Sequence, residues 1–418
     1  MHKEIERLKD KKIIILGLGV NNKNLANYFK SCDITFDVIE SWNTPADLIG
    51  KIEGYDIVFR TPGLPYNSEV ILEAIKNHIE VNSQTKLFVS IFSKQIIGVT
   101  GTKGKGTTSS LIADILKLSG KKVFLAGNIG KDPFEFIDQI TPKDFIVLEL
   151  SSFQLQDVDV SPHIAVVTNL FPDHLNHHKT LDEYLFAKLK ILASQTENDF
   201  AILSPALPKT FYSAGKGTIS KFYSNDVLAW KTKLIGEHNL QNIAAAVKTC
   251  QTLGVSEEII KTAVAEFKPL PHRLNILGEM NGVTVVDDSY STNIEPTLSA
   301  LESFKDRKVI LAMGGHDKKL NFENLIKRIS ELENIKSVIV FGQIKEQLSK
   351  LLERYKVDHK VCKDTMSGIF QTTLGLASTG DVFLFSPATS SFDMFKNETD
   401  RGGQFVKYFN DLKNAESK

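Results

Sequence analysis

The run Gly98-Val99-Thr100-Gly101-Thr102-Lys103-Gly104-Lys105-Gly106-Thr107-Thr108 constrains this chain more than any other stretch. The apolar pair Ile96-Ile97 leads into it. A helical pattern at Leu111, Ile112, Ile115, Leu116 and Leu118 follows and stops at Gly120. A strand, a glycine-rich turn carrying lysine and a helix start make a phosphate cradle. Glycines let backbone N–H groups close on oxyanions, and the helix N-terminus adds about half a positive charge. Lys105 can reach terminal phosphates, and a hydroxyl of Thr107 or Thr108 can ligate magnesium. Gly101, Thr102, Lys103, Gly104, Lys105, Gly106, Thr107 and Thr108 are therefore expected to hold a nucleoside triphosphate. Val99 and Gly106 break the strict Walker pattern, and an ordinary βα turn is the alternative. The string Gly-Lys-Gly-Thr recurs at 215–218, but it runs into the strand-like Ile219, Phe222 and Tyr223 and reads as a surface turn.

The surroundings alternate strand and helix. Residues 12–20 read as a buried parallel strand entering a Gly17-Leu18-Gly19 turn, with a helix near 22–30 and strands near 34–40 and 56–60. This suggests a Rossmann-like domain whose dinucleotide fingerprint is incomplete, since Asn22 stands at the third glycine position. A second unit starts near Lys94 and adds Val123-Phe124-Leu125, Phe145 to Glu149 and Ile164 to Asn169. Glu149, a carboxylate ending a buried strand beside the phosphate loop, is where a magnesium ligand belongs. Lys268-Pro269-Leu270-Pro271 reads as a hinge. Strands near 283–286, 308–313, 337–341 and 382–386 then repeat the alternation. The expected fold class is α/β in three domains: N-terminal Rossmann-like (1–92), central P-loop ATPase-like with a mostly parallel sheet (93–270), and C-terminal Rossmann-like (271–418).

Fifty basic and fifty acidic side chains balance across 418 residues, so no global field favours nucleic acid or an anionic membrane. No apolar run is long enough to cross a bilayer, and the first residues lack the core of a signal peptide. Cys32, Cys250 and Cys362 match neither a disulfide framework nor a zinc spacing. A cytoplasmic, monomeric protein acting on small molecules is expected.

The phosphate loop has company. Glu149-Leu150-Ser151-Ser152-Phe153-Gln154, Thr168-Asn169-Leu170-Phe171-Pro172-Asp173-His174-Leu175, Ala187-Lys188, Gly236-Glu237-His238-Asn239-Leu240-Gln241-Asn242, Leu270-Pro271-His272-Arg273, Asp287-Asp288-Ser289 and Ser386-Pro387-Ala388 follow in order. Together they resemble the Mur ligases, the ATP-dependent amide-forming enzymes of peptidoglycan assembly, over essentially the whole chain. The run from Ser386 to Asn397, with Arg401-Gly402, is most like the branch that adds D-glutamate to UDP-N-acetylmuramoyl-L-alanine.

That resemblance implies a reaction in which ATP and magnesium convert a substrate carboxylate to an acyl phosphate, which an amine then attacks. It implies that Lys105, His174 and Lys188 are catalytic. Thr107, Glu149, His174 and Lys188 would serve magnesium, Lys188 as a carbamate formed with carbon dioxide. Asn239, Asn242, Arg273 and Asp288 match ATP-contacting positions. Val20, Asn21, Glu40, Ser41, Trp42 and Gly63 would hold the uridine end of the substrate, and Asn128, Ser151, Ser152 and Gln154 its pyrophosphate and sugar. Thr292, Lys318 and Ser391 match positions that hold D-glutamate. Lys188 lies in a mostly apolar helical stretch, where burial would favour the neutral amine that carbamylation needs. Lys190 is expected to snorkel, and His177 and His178 to be solvated loop residues; zinc on His174, His177 and His178 is the alternative.

Three departures stand out. Gly106 follows the lysine, leaving magnesium to Thr107. Tyr290 replaces a family lysine, and Glu398 stands where an aromatic residue touches the amino acid. Glu398 is expected to turn outward or pair with a Lys or Arg. A folylpolyglutamate-synthase-like ligase, an L-glutamate ligase and a nucleotide-binding switch remain the alternative readings.

Overall fold

The computed structural model describes residues 2–173 and 178–416. Short β-branched runs become buried central strands, and the intervening amphipathic stretches become helices on the sheet faces. The first sheet holds β1 (Ile13–Leu16), β2 (Asp37–Ile39), β3 (Ile57–Arg60) and β4 (Glu80–Ser83). Their order is β2-β1-β3-β4, all parallel. Every residue of β1 and β3 is buried.

The second sheet holds β5 (Ile96–Thr100), β6 (Val123–Gly127), β7 (Phe145–Glu149), β8 (Ile164–Val167), β9 (Phe200–Leu203) and β10 (Thr218–Lys221). The order is β10-β9-β8-β5-β7-β6, again all parallel. Central β5 delivers the glycine-rich loop to the helix Lys105–Leu118, which buries Leu111, Ile112, Ile115 and Leu116 as the spacing requires. The second Gly-Lys-Gly-Thr enters β10, an exposed edge strand with no helix behind it.

The third sheet holds β11 (Asn275–Met280), β12 (Val283–Asp287), β13 (Val309–Gly314), β14 (Ile335–Phe341), β15 (His359–Val361) and β16 (Val382–Phe385). The order is β11-β12-β16-β13-β14-β15, with only β11 antiparallel to its neighbour. Sequence patterning misses both outer strands. β11 is interrupted by Gly278 at a register shift, and β15 has three residues and an exposed edge.

The chain forms two compact units. Met1–Thr232 with Asn239–Phe267 carries the first two sheets, and Lys233–His238 with Lys268–Lys418 carries the third. Within the first unit, Arg60 at the end of β3 is fully buried and grips Asp157 through Nε and Nη2, each at 3.0 Å. The same guanidinium reaches the carbonyls of Leu64 and Phe153, so the first sheet is pinned to the segment after β7. Removing either charge would strand the other in the interior. Cys32, Cys250 and Cys362 are buried free thiols. Among the described residues no helix is long and apolar enough to cross a membrane.

Candidate active site

The loop after β5 is held open by its glycines. Gly104 caps the helix Lys105–Leu118 at φ +81°, and a Cβ there would lie 1.9 Å from Asn242 Oδ1. Asn242 cannot swing aside freely, because its Nδ2 donates to Asn239 Oδ1 at 3.0 Å. Both asparagines are buried on the helix Glu237–Thr252; Asn242 packs against the phosphate loop and Asn239 holds the Asn242 amide. Gly104→Ala combines left-handed strain with this clash and is expected to cost about 2–4 kcal/mol. A denaturant midpoint equal to wild type would show that the loop relaxes around the methyl group.

The segment after β8 clamps the loop from the other side. Asn169 Oδ1 accepts from the Lys103 N–H at 2.8 Å, and Asn169 Nδ2 and Thr168 Oγ1 both donate to the Lys103 carbonyl. Thr102 Oγ1 shares a 2.8 Å hydrogen bond with the Tyr184 hydroxyl. Thr168, Asn169 and Tyr184 carry no role in the sequence reading, although Thr168 and Asn169 belong to a motif singled out there.

Two lysine side chains meet on one oxygen. Lys105 Nζ donates to the Gly101 carbonyl at 3.0 Å, and Lys188 Nζ donates to the same carbonyl at 2.8 Å. Lys188 is fully buried in the helix Leu181–Ala193, and its ammonium lies 4.9 Å from the centroid of the Tyr184 ring. Burial, reinforced by the Lys105 charge, pushes Lys188 well below the ordinary lysine range against the pull of Asp173 and Glu149. This environment favours the neutral amine over the ammonium. Lys190 does not simply snorkel: it is half buried, donating to the Gln156 carbonyl with its ammonium over Tyr66.

Glu149 ends β7 with little exposure, and its carbonyl accepts from the Asn128 N–H at 3.2 Å. A Cβ on Gly127 would lie 2.1 Å from that carbonyl, which is why glycine precedes Asn128. Thr108 Oγ1 turns to the Asn242 carbonyl at 3.5 Å. Its neighbour Thr107 is the other hydroxyl of the first turn. Magnesium takes one or two protein oxygens and completes its shell with water and phosphate, and a hydroxyl and a carboxylate such as those of Thr107 and Glu149 are donors of the kind it takes. Asp173 pairs with Lys103 at 3.0 Å. His174 and His177 lie outside the described residues.

His178 corrects the sequence reading. It is fully buried, with Nε2 2.9 Å from Ser152 Oγ. A polar residue in a histidine-rich loop reads as solvated; here aromatic neighbours on two helices enclose it.

The residues expected at the uridine end gather at the carboxyl ends of β1, β2 and β3. Asn22, buried at the missing-glycine position, donates to the Gly17 carbonyl at 2.8 Å and closes the turn with a side chain. The helix Val20–Ser31 starts there, carrying Val20 and Asn21. Trp42 packs on the turn: a Cβ on Gly17 would lie 3.2 Å from the indole. Glu40, Ser41 and Gly63 are exposed around it. Ser151 and Gln154 form a capping box at the short helix Ser152–Leu155.

In the second unit Arg273 is exposed, with its guanidinium 5.3 Å from the Tyr290 ring centroid. Tyr290 stacks parallel to His272, and His272 Nδ1 lies 2.7 Å from Asp287 Oδ2. The aromatic ring at the family's lysine position thus carries an arginine on its face. Burial pushes the Asp288 carboxyl up to about 7, opposed by hydrogen bonds from Ser291, Ser386 and the Leu274 N–H. Lys318 Nζ donates to the Thr292 carbonyl at 3.2 Å. The Lys318 and Ser391 segments are bonded together through His316 N–H to the Ser390 carbonyl and Thr389 Oγ1 to the His316 carbonyl. Ser391 is fully buried, and its Oγ has no hydrogen-bond partner among the described residues.

Glu398 opens the last helix, Glu398–Glu416, half buried. Its charge is the foremost of those that keep the deeply buried Arg401 protonated, while burial lowers that guanidinium to about 10. The helix N-terminus also stabilises the carboxylate. Glu398→Phe is therefore expected to change the Michaelis constant for D-glutamate less than about threefold, well below the effect of an uncompensated carboxylate pair. A tenfold change in initial-rate kinetics would place Glu398 against the acceptor.

A P-loop, a buried lysine beside it and a strand-end carboxylate define a nucleotide-dependent group-transfer site. Residues 99–210 match the Mur ligase middle domain, and 272–389 match the Mur ligase, glutamate ligase domain. The UDP-N-acetylmuramoylalanine–D-glutamate ligase of Acetivibrio thermocellus is 32% identical, covering 97% of this chain and 98% of that protein. The enzyme of the same name from Streptococcus pyogenes is 30% identical over 98% and 99%. Among solved structures, MurF from Acinetobacter baumannii superposes with a TM-score of 0.62 at 17% identity, covering 92% of this chain and 98% of that one. UDP-N-acetylmuramate-alanine ligase from Thermotoga maritima gives 0.59 at 20%, over 96% and 100%. The chain belongs to the Mur ligase family, whose members are ATP-dependent amino-acid ligases of peptidoglycan precursor synthesis.

Proposed function

We propose that this protein joins D-glutamate to UDP-N-acetylmuramoyl-L-alanine, with ATP cleaved to ADP and phosphate by way of an acyl phosphate. The observation that carries the reading is the meeting of the Lys105 and buried Lys188 side chains on the Gly101 carbonyl. A site that brings a carboxylate against a triphosphate needs a cation at the point of approach, which Lys105 supplies, while Lys188 beside it offers the amine that carbamylation needs. The relatives' shared name supports the acceptor and the UDP-linked substrate.

Lys105 neutralises the transferring phosphoryl group, and Arg273 and Asp288 are the ATP-contacting residues of the second unit. Glu149 and Thr107, joined by His174, would hold magnesium, which supplies Lewis acidity to the phosphate oxygens when bound. The neutral Lys188 amine would add to carbon dioxide, forming the N–C bond and releasing one proton to solvent, to leave a carbamate anion beside Lys105. Val20, Asn21, Glu40, Ser41, Trp42 and Gly63 take the uridine end, and Asn128, Ser151, Ser152 and Gln154 the pyrophosphate and sugar. Thr292, Lys318 and Ser391 take the amino acid. The three sheets support a division at 1–92, 93–270 and 271–418 into substrate, nucleotide and amino-acid parts of a monomeric cytoplasmic enzyme.

Phosphate release from ATP with UDP-N-acetylmuramoyl-L-alanine, screened across D-glutamate, L-glutamate and uncharged amino acids, tests the reading. Release that depends on D-glutamate is expected. Preference for L-glutamate or a neutral amino acid would overturn the acceptor, and release needing no amino acid would favour a switch.

A further inference from the structure

His178 sits where two functional segments meet. Its Nε2 is 2.9 Å from Ser152 Oγ at the head of the helix Ser152–Leu155. Its ring stacks on Phe153, with centroids 5.6 Å apart and planes at 17°. The other side makes an edge contact with Tyr184, at 5.4 Å and 68°. Tyr184 in turn shares a hydrogen bond with Thr102 of the phosphate loop and lies beneath the Lys188 ammonium. Glu183, which faces His178 Nδ1 at 3.7 Å, is itself held by the Asn67 amide and the Lys179 N–H.

We infer that His178 is a positioning residue for the UDP-linked substrate: it fixes the Ser152 hydroxyl by hydrogen bond while packing against the tyrosine that braces the phosphate loop. The inference rests on the reading that Ser152 lines the path of the substrate's pyrophosphate and sugar. A buried imidazole used only to fill space needs no polar partner. This one bonds to a side chain assigned to substrate, and its ring is held by stacking on Phe153 and an edge contact with Tyr184. A serine hydroxyl otherwise has three staggered positions to choose among. Bonding to a rigid ring selects one and lowers the entropy lost when substrate arrives.

The test compares His178→Phe, which keeps the aromatic packing and removes the hydrogen bond, with His178→Gln, whose amide can restore a bond to Ser152. Loss of one neutral hydrogen bond is worth roughly a three- to tenfold rise in the Michaelis constant for UDP-N-acetylmuramoyl-L-alanine. His178→Phe is expected to show that rise, with the constants for ATP and D-glutamate within twofold of wild type, and His178→Gln to recover most of it. In a Ser152→Ala background, His178→Phe is expected to add nothing. Ser152→Ala is read alone as well, so the test survives a His178 variant that does not fold. An unchanged constant for Ser152→Ala would overturn the substrate reading of Ser152. A raised constant for Ser152→Ala with a wild-type value for His178→Phe would overturn the inference alone. A uniform rise for all three substrates together with a lower melting temperature would make His178 a packing residue only, and also overturn it.

Discussion

Lys105→Ala will lose between about a hundredfold and ten-thousandfold in kcat/KM for ATP. Each charge-assisted hydrogen bond to phosphate is worth about 1.5–3 kcal/mol, and two such contacts convert to that range of rates. The loss falls on catalysis rather than folding. Lys105 is partly exposed, and its partners include the carbonyls of Gly101 and Thr102, which water can satisfy. Circular dichroism and melting temperature are expected to stay close to wild type while single-turnover phosphate transfer disappears. A variant with near-wild-type kcat/KM would mean that the loop at 101–108 is not the phosphate cradle.

Lys188→Ala is expected to be nearly inactive, at least about a hundredfold down, because it would remove the carbamate proposed on that lysine beside Lys105. Added acetate is expected to restore part of the activity by occupying the space with a carboxylate, and degassing bicarbonate from the buffer is expected to slow the wild type. Wild-type turnover by Lys188→Ala, or an inactive but folded variant that acetate cannot rescue, would remove the carbamate from the mechanism. The same residue carries a stability signature. Its native pKa is lowered, by burial first and by Lys105 next, so the unfolded chain binds the extra proton between the native value and about 10.4. Unmodified protein therefore gains stability as pH rises through that window, by at most about 1.4 kcal/mol per pH unit. Lys188→Met is expected to flatten the rise in denaturant titrations at several pH values. An unchanged slope would place the proton elsewhere.

Much of the site was legible because backbone chemistry leaves marks at short range. A phosphate loop needs glycines where φ is positive or another chain segment crowds the Cα. Gly101 and Gly104 meet both conditions, facing Thr168 and Asn242. An isolated lysine in an apolar helix likewise announces burial, and Lys188 is buried. The residues that brace the loop were harder to find. Asn169, Tyr184 and His178 belong to types that are more often turn formers, core aromatics or solvated loop groups. Their work depends on partners 66, 82 and 26 positions away in sequence.

The sequence by itself determined the alternation of strands and helices, the placement of the phosphate loop after β5 and the membership of the family. The first two follow from periodicity and from local steric needs, which act within a few residues; the membership follows from the ordered motifs along the chain that resemble the family. Only the tertiary structure decided that Arg60 spends its charge on Asp157, that Lys105 and Lys188 meet on one carbonyl, and that a loop histidine is enclosed. It also decided that Asn22 closes the turn where a third glycine was missing. Each of these depends on distance and dielectric between groups far apart in the chain, and no local pattern of residues encodes either.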